Sequence, residues 1–357
     1  MNFWQNLKKE KGRPLVVLAP MADVTDFAFR AMFAKYGKPD VVWTEFVSAD
    51  GMILAPDNNP DERGLTSHDK IFADLNFDKI GQRPITAQIF GANLVNVEKA
   101  AEICAEMGYD GIDINMGCPD RSIEKQKCGA AMMKNPELAV SVIEAVKRGI
   151  KNAGKNIPVS VKTRLGYNKD ELENWLPIIL KAGVDLVTIH ARTRKEMSLV
   201  PARWERVKRA VEIRDQLQSD VAPENRTLIF GNGDVADVED AFKKCLESGA
   251  DGAMIGRGIF GNPWCFADLN NVADNFNKSL ERISPKKDIS INEKLLALIE
   301  HTELFTKHVG HKNFAVMKKH FKAYVEGFDG AKDLRTKLME TVDVNGVREV
   351  INGWLKA

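Results

Sequence analysis

Short runs of β-branched and aliphatic residues alternate with longer segments of helical period along most of this chain. The runs predict strands at Leu15–Leu18, Val41–Thr44, Ile85–Phe90, Gly111–Asn115, Val159–Thr163, Leu186–His190, Leu228–Gly231 and Gly252–Ile255. Between them the apolar spacing predicts helices such as Thr25–Tyr36, Asn93–Met107, Pro136–Ile150, Lys169–Ala182, Trp204–Leu217 and Val238–Ser248. Gly37, Gly108, Gly183 and Gly249 fall where helix C-caps are wanted, and Glu137, Asp170, Glu171 and Glu239 fall in first turns, where they suit the helix dipole. Strand and helix in regular succession predict an α/β protein with a (β/α)8 TIM barrel. An open doubly wound sheet would be favoured by a Gly-rich GxGxxG turn after the first strand, and none is there. The second unit is irregular: Ala55–Arg83 is rich in Asp, Asn, Pro and Gly, so an excursion is expected before the third strand.

After Ile255 the pattern changes. Gly256–Pro263 reads as loop, Ser279–Ser290 as a charged, Pro-containing linker, and the remainder has helical period only, at Glu293–Val309, Phe314–Gly327 and Ala331–Met339. The expected organisation is a catalytic barrel over 1–268, a linker over 269–284 and a small C-terminal all-helical domain over 285–357.

Bulk properties add little. The 357 residues carry a formal net charge of +1, so any electrostatic partner must be read from local patches. No apolar segment of signal-peptide length opens the chain, and none approaches the roughly 20 residues of a membrane span. The five cysteines include no CxxC pair, which argues against a disulfide framework and a zinc site. A reduced cytoplasmic monomer is expected, with neither metal nor membrane contact.

In a barrel the active site lies at the C-terminal ends of the strands. Polar or unusual residues stand at every one: Pro20 and Met21, Thr44-Glu45, Gln88, Asn115 with Cys118, Lys162 with Arg164, His190, Asn232 and Arg257. Singly, each reads as a hydrated rim residue; at successive strand ends they read as a site. Gly231-Asn232-Gly233-Asp234 and Gly256-Arg257-Gly258 are short Gly-rich turns after the last strands, the usual phosphate-binding place of this fold. Lys162 sits inside an apolar strand, which is costly unless it meets an anion or an electron-rich ring, although a lysine can also snorkel out of a rim. With Gln88 able to make a two-way hydrogen bond to a ring edge, the set points to FMN, and no adenine-binding fingerprint argues for FAD.

Cys118 lies between Gly117 and Pro119 directly after a strand. A thiol held there can serve as acid, nucleophile or metal ligand. Metal ligation with Cys128 would need two more soft ligands, and the sequence offers none. Cys104 and Cys245 fall in helical patterns and read as buried and inert, as does Cys265.

The motifs Leu18-Ala19-Pro20-Met21-Ala22-Asp23-Val24-Thr25-Asp26, Thr44-Glu45-Phe46-Val47-Ser48-Ala49 and Asp113-Ile114-Asn115-Met116-Gly117-Cys118-Pro119 resemble those of the tRNA-dihydrouridine synthases. So do Val161-Lys162-Thr163-Arg164-Leu165-Gly166, His190-Ala191-Arg192-Thr193-Arg194, Gly231-Asn232-Gly233-Asp234 and Met254-Ile255-Gly256-Arg257-Gly258. The resemblance is close over residues 15–268 and looser in the tail. It implies an FMN barrel whose helical tail helps grip tRNA, and reduction of the C5=C6 bond of a uridine with NADPH as reductant. On matching positions Pro20, Met21, Gln88 and Lys162 would lie against the flavin ring. His190, Asn232, Gly233, Asp234, Gly256 and Arg257 would serve its ribityl chain and phosphate. Cys118 would be the acid that protonates C5 after hydride reaches C6, and Asn115 would help bind the base. A thiol with an ordinary pKa of about 8.5 is protonated at neutral pH, whereas an aspartate is ionised and a serine is far too weak an acid. The chain departs from the family pattern at Ala191, where glycine is common, at Lys195-Glu196-Met197-Ser198, where a glutamine and an aromatic residue are usual, and in the length of Ala55–Arg83.

A tRNA uridine must be splayed out of the fold to reach such a rim. Glu45 and Arg164 at the rim, Arg121, Lys125 and Lys127 after the cysteine, and Arg192, Arg194 and Lys195 after the sixth strand are the expected RNA contacts. Lys312, Lys318, Lys319, His320 and Lys322 form a basic cluster in the tail. It reads either as an RNA grip or as the solvated side of a helix that buries Phe314, Met317, Phe321 and Tyr324, and the resemblance favours RNA. Two other functions fit parts of the pattern: an FMN dehydrogenase of free pyrimidines or dihydroorotate, and a tRNA-folding protein that needs no chemistry.

Overall fold

A computed structural model describes residues 2–54, 60–278 and 289–356. Eight parallel strands form one sheet: β1 (Leu15–Leu18), β2 (Val42–Ser48), β3 (Ile85–Phe90), β4 (Gly111–Met116), β5 (Val159–Arg164), β6 (Leu186–His190), β7 (Leu228–Asn232) and β8 (Gly252–Ile255). Neighbours in sequence are neighbours in the sheet, and β1 also pairs with β8. The remaining seam, between β1 and the start of β2, is joined by backbone hydrogen bonds from Leu18 N to Val41 O (3.1 Å) and from Asp40 N to Val16 O (3.0 Å). Almost every strand residue is buried, as expected of parallel strands covered on both faces. One side meets the helices in the main apolar core; the other fills the barrel with Leu15, Val17, Trp43, Leu186, Leu228, Phe230 and Met254.

The barrel floor is closed by a helix that the hydrophobic pattern did not reveal, Phe3–Lys11, started by a capping box between Asn2 and Gln5. Its Trp4 stacks on Trp43 at 5.5 Å and meets Phe230 edge-on at 5.9 Å. With so few apolar residues the segment has little periodicity, and its role depends on the hole it plugs. The excursion after β2 contains the short helices Ala49–Ile53 and Ser67–Asp74; part of it, residues 55–59, lies outside the described residues.

The expected linker is corrected in part. Residues 269–278 continue as a helix, Leu269–Lys278, while the rest of the predicted linker and the start of the tail, residues 279–288, lie outside the described residues. The tail comprises Ile291–His308, the turn Phe314–Met317, and helices Lys318–Tyr324, Ala331–Glu340 and Val344–Leu355. Its apolar core includes Ala28 and Met32 from the barrel helix Phe27–Tyr36, so tail and barrel share one packed interface. Tyr36 and Lys35 fix that interface through Glu300, both at 2.6 Å.

Candidate active site

A cavity of about 620 Å³ opens at the C-terminal end of the barrel. Its lining includes Pro20, Met21, Lys162, His190, Asn232, Gly233, Asp234, Gly256 and Arg257, all expected from the sequence, together with Ser198 and Arg192. Gly233 has a φ of +114°, which a side chain would resist, and a Cβ on Gly258 would stand 2.5 Å from Ala236 O. Both glycine turns are therefore crowded by neighbouring protein atoms that leave no room for a side chain.

The electrostatics are strongly positive. Lys162, Arg192 and Arg257 face Asp234 as the single carboxylate in the lining. Burial pushes the Lys162 ammonium down to about 8, aided by Arg164 and opposed by Asp113. Its hydrogen bond goes to the neutral Oδ1 of Asn232, at 3.0 Å, and Asn232 is itself oriented by donating to Met254 O at 2.8 Å. Burial, followed by the charges of Lys162, Arg164, Arg192 and Arg257, lowers His190 far enough to keep it neutral. Arg192 Nη1 lies 3.0 Å from His190 Nε2, and a guanidinium can only donate, so the imidazole proton is on Nδ1.

Cys118 is not itself in this lining; it follows β4, the strand paired with that of Lys162, on a loop held mainly through its main-chain atoms. Asn115 Oδ1 accepts from Gly117 N at 3.1 Å and from Cys118 N at 2.9 Å. Ala130 N donates to Cys118 O at 2.9 Å, an approach that needs Gly129, whose φ is +59° and whose Cβ would fall 2.7 Å from that same oxygen. Arg164 Nε donates to Gly117 O at 2.7 Å. The thiol takes none of these bonds; the Asp120 backbone N–H contacts it and favours the thiolate, but burial outweighs that and raises its pKa, so it is held as the thiol. Cys128 is a buried neighbour pushed up to about 12 by burial and is correspondingly inert.

Several expected residues have protein partners here. Gln88 does not line the cavity: it is completely buried, donates Nε2 to Asp113 at 2.6 Å and accepts from Asn115 Nδ2 at 3.1 Å. Asp113 also takes Ser160 Oγ at 2.5 Å, and burial raises its pKa to about 6. An ionised Asp113 can only accept, which sets the amide of Gln88, then the amide of Asn115, and so the Cys118 loop. Asn115 retains one Nδ2 hydrogen for a ligand. Sequence reasoning missed Asp113, although a carboxylate inside an apolar strand is the same signal that singled out Lys162. Gln88→Leu would orphan Asp113 Oδ2 and Asn115 Nδ2 in a dry interior. It is expected to cost about 2–3 kcal/mol in urea unfolding; a loss near zero would show that the relay is not made.

The expected RNA contacts divide. Arg121 and Lys125 are exposed on the helix Arg121–Lys125 and have no ion pair among the described residues. Lys318 is half-buried, and Lys319 is exposed beside Asp23, 3.5 Å away. Arg164 is instead a buried brace, Arg192 is a buried cavity wall paired with Asp234 at 2.5 Å, and Arg194 forks onto Glu124 at 2.5 and 2.7 Å. Strand-end position could not reveal these partners.

Glu45 is buried too: a register shift in the β2–β3 ladder between Trp43 and Phe46 accompanies its turn towards the tail, where Lys312 binds it at 2.6 Å. Lys312 also meets Asp74 at 3.2 Å and Asp23 at 3.7 Å, so it leaves the basic cluster. His320 leaves it as well, being buried and lowered to about 3 by burial.

A sequence-family model described as dihydrouridine synthase matches residues 17–354. The probable tRNA-dihydrouridine synthase 2 of Bacillus subtilis is 36% identical over 354 residues, covering 98% of this chain and 96% of the relative. A probable tRNA-dihydrouridine synthase of Staphylococcus epidermidis is 35% identical over 355 residues, covering 98% and 95%. Among solved structures, the DHODH of Eimeria tenella in complex with ferulenol superposes with a TM-score of 0.50 at 15% identity, over 74% of this chain and 81% of that one, a likeness of fold. Matched over nearly its whole length, the chain belongs to the dihydrouridine synthase family.

Proposed function

We propose that the protein is an FMN-dependent tRNA-dihydrouridine synthase, which reduces the C5=C6 bond of a D-loop uridine at the expense of NADPH. The observation that carries the reading is a protonated thiol, Cys118, fixed after the strand paired with that of Lys162, which lines a cationic cavity of cofactor size. The residues fit FMN. Lys162 is a desolvated ammonium paired only with a neutral amide, suited to the pyrimidine half of the ring, and Pro20 and Met21 offer an apolar wall. The turns at Gly233 and Gly256–Gly258, with Arg257, suit a phosphate. When bound, the flavin supplies hydride to C6 of the uracil. Cys118 gives C5 its proton, and Asn115 offers Nδ2–H to the base. Arg121, Lys125, Lys318 and Lys319 are the cations placed to meet RNA phosphates.

The test is direct. Purified protein should be yellow and, once supplied with NADPH and unmodified tRNA, should form dihydrouridine, and the gene should restore one position in tRNA from a strain lacking it. A colourless protein, or turnover of free uracil or dihydroorotate without tRNA, would overturn the reading.

A further inference from the structure

The loop after β6 carries apolar side chains that neither the core nor the cavity uses. Met197 is 40% exposed, Leu199 85% and Val200 37%. Single exposed aliphatic residues are ordinary, but this loop is held in place. Arg164 Nη1 donates to Met197 O at 2.9 Å and to Thr193 O at 3.2 Å, while its Nε holds Gly117 O, next to Cys118. Arg192 Nε donates to Val200 O at 2.5 Å, and Asp234 accepts from Ala202 N at 2.8 Å. Glu196 takes Thr193 N at 2.7 Å and Arg203 at 2.9 Å. Met197 has a φ of +55°, strained for a residue with a side chain. Buried guanidiniums and carboxylate contacts thus fix an apolar tip that faces solvent, holding Met197 in its strained backbone conformation. Ser198, inside the same tip, lines the cavity.

We propose that Met197, Leu199 and Val200 form a wedge that packs against the face of a nucleobase next to the reacting uridine, holding the RNA open while that uridine occupies the site. The inference rests on the reading of folded RNA as substrate and names the group that keeps the uridine extruded. A base presents an apolar π-face, and aliphatic side chains inserted between bases serve proteins that unstack nucleic acid. The surroundings match a polyanion. Lys195 adjoins the tip, and Arg121 and Lys125 stand on the helix that Glu124 ties to Arg194. The same Arg164 braces both tip and thiol loop, so a base gripped by the tip is positioned relative to Cys118.

The test pairs a protein change with an RNA change. Met197→Ser combined with Leu199→Ser should lower kcat/KM on tRNA by about tenfold, with unchanged thermal midpoint, because both side chains are exposed. On tRNA carrying abasic residues on either side of the reacting uridine, wild type and variant should be equal, since the partner of the wedge is gone. An undiminished rate on normal tRNA, or the same loss on both RNAs, would overturn the wedge. A change in oligomeric state without a change in rate would assign the patch to a protein contact instead. Absence of wild-type turnover on any RNA would reject the functional reading, a result distinguishable from all of these.

Discussion

Replacing Cys118 by alanine is expected to lower dihydrouridine formation on tRNA by about 10²–10⁴-fold, the contribution typical of a positioned general acid. Flavin content should be unchanged. The loop does not depend on the thiol: Asn115, Arg164 and Ala130 hold Gly117 and Cys118 through main-chain atoms. Alanine therefore removes the proton donor together with its one contact to the Asp120 N–H. Cys118→Ser should be comparably impaired, since a hydroxyl keeps the shape but is a far weaker acid. The pH profile carries the sign. Burial raises the thiol above its ordinary value, so the acid form persists through neutral pH and activity should fall only on the alkaline side. Mapped dihydrouridine and flavin absorbance, measured on the same preparations, decide the matter. Full activity in the alanine variant would remove Cys118 from the mechanism.

The strands and most barrel helices were legible because each obeys a local rule. Parallel strands buried on both faces are short apolar runs, and their helices bury one stripe. The helix Phe3–Lys11 obeys no such rule: it is placed by Trp4 filling the barrel floor against Trp43 and Phe230, which is a tertiary fact. The same boundary runs through the site. Residues presenting backbone or side chain at strand ends were found, because position alone puts them there. What position could not supply was the partner. Arg164, Arg192 and Arg194 look alike in sequence, yet one braces main-chain carbonyls, one pairs with Asp234 and one with Glu124. Gln88 has the expected strand end, but strand-end position did not show that Asp113 takes one of its amide hydrogens.

Lys312 shows what such a partner is worth, and Lys312→Met is expected to destabilise the protein by about 3 kcal/mol. Its ammonium joins the tail to the barrel, reaching Glu45 on β2, Asp74 at the end of Ser67–Asp74, and Asp23 after β1. Even with Lys312 in place, burial raises Glu45 from the ordinary 4.5 to about 7. Without it, nothing of comparable strength opposes that burial and the pKa climbs further. The sign follows: a carboxyl with a raised folded pKa favours folding below its unfolded value, and that advantage is lost as pH rises through the folded one. The penalty in the variant should therefore be small near pH 5 and large near pH 8, read as the difference in urea midpoint from wild type. Adding Glu45→Gln to the variant should recover part of the loss, because the stranded charge goes with it. A penalty independent of pH, and untouched by Glu45→Gln, would show that Lys312 acts through packing of its alkyl stem rather than through the buried carboxylate.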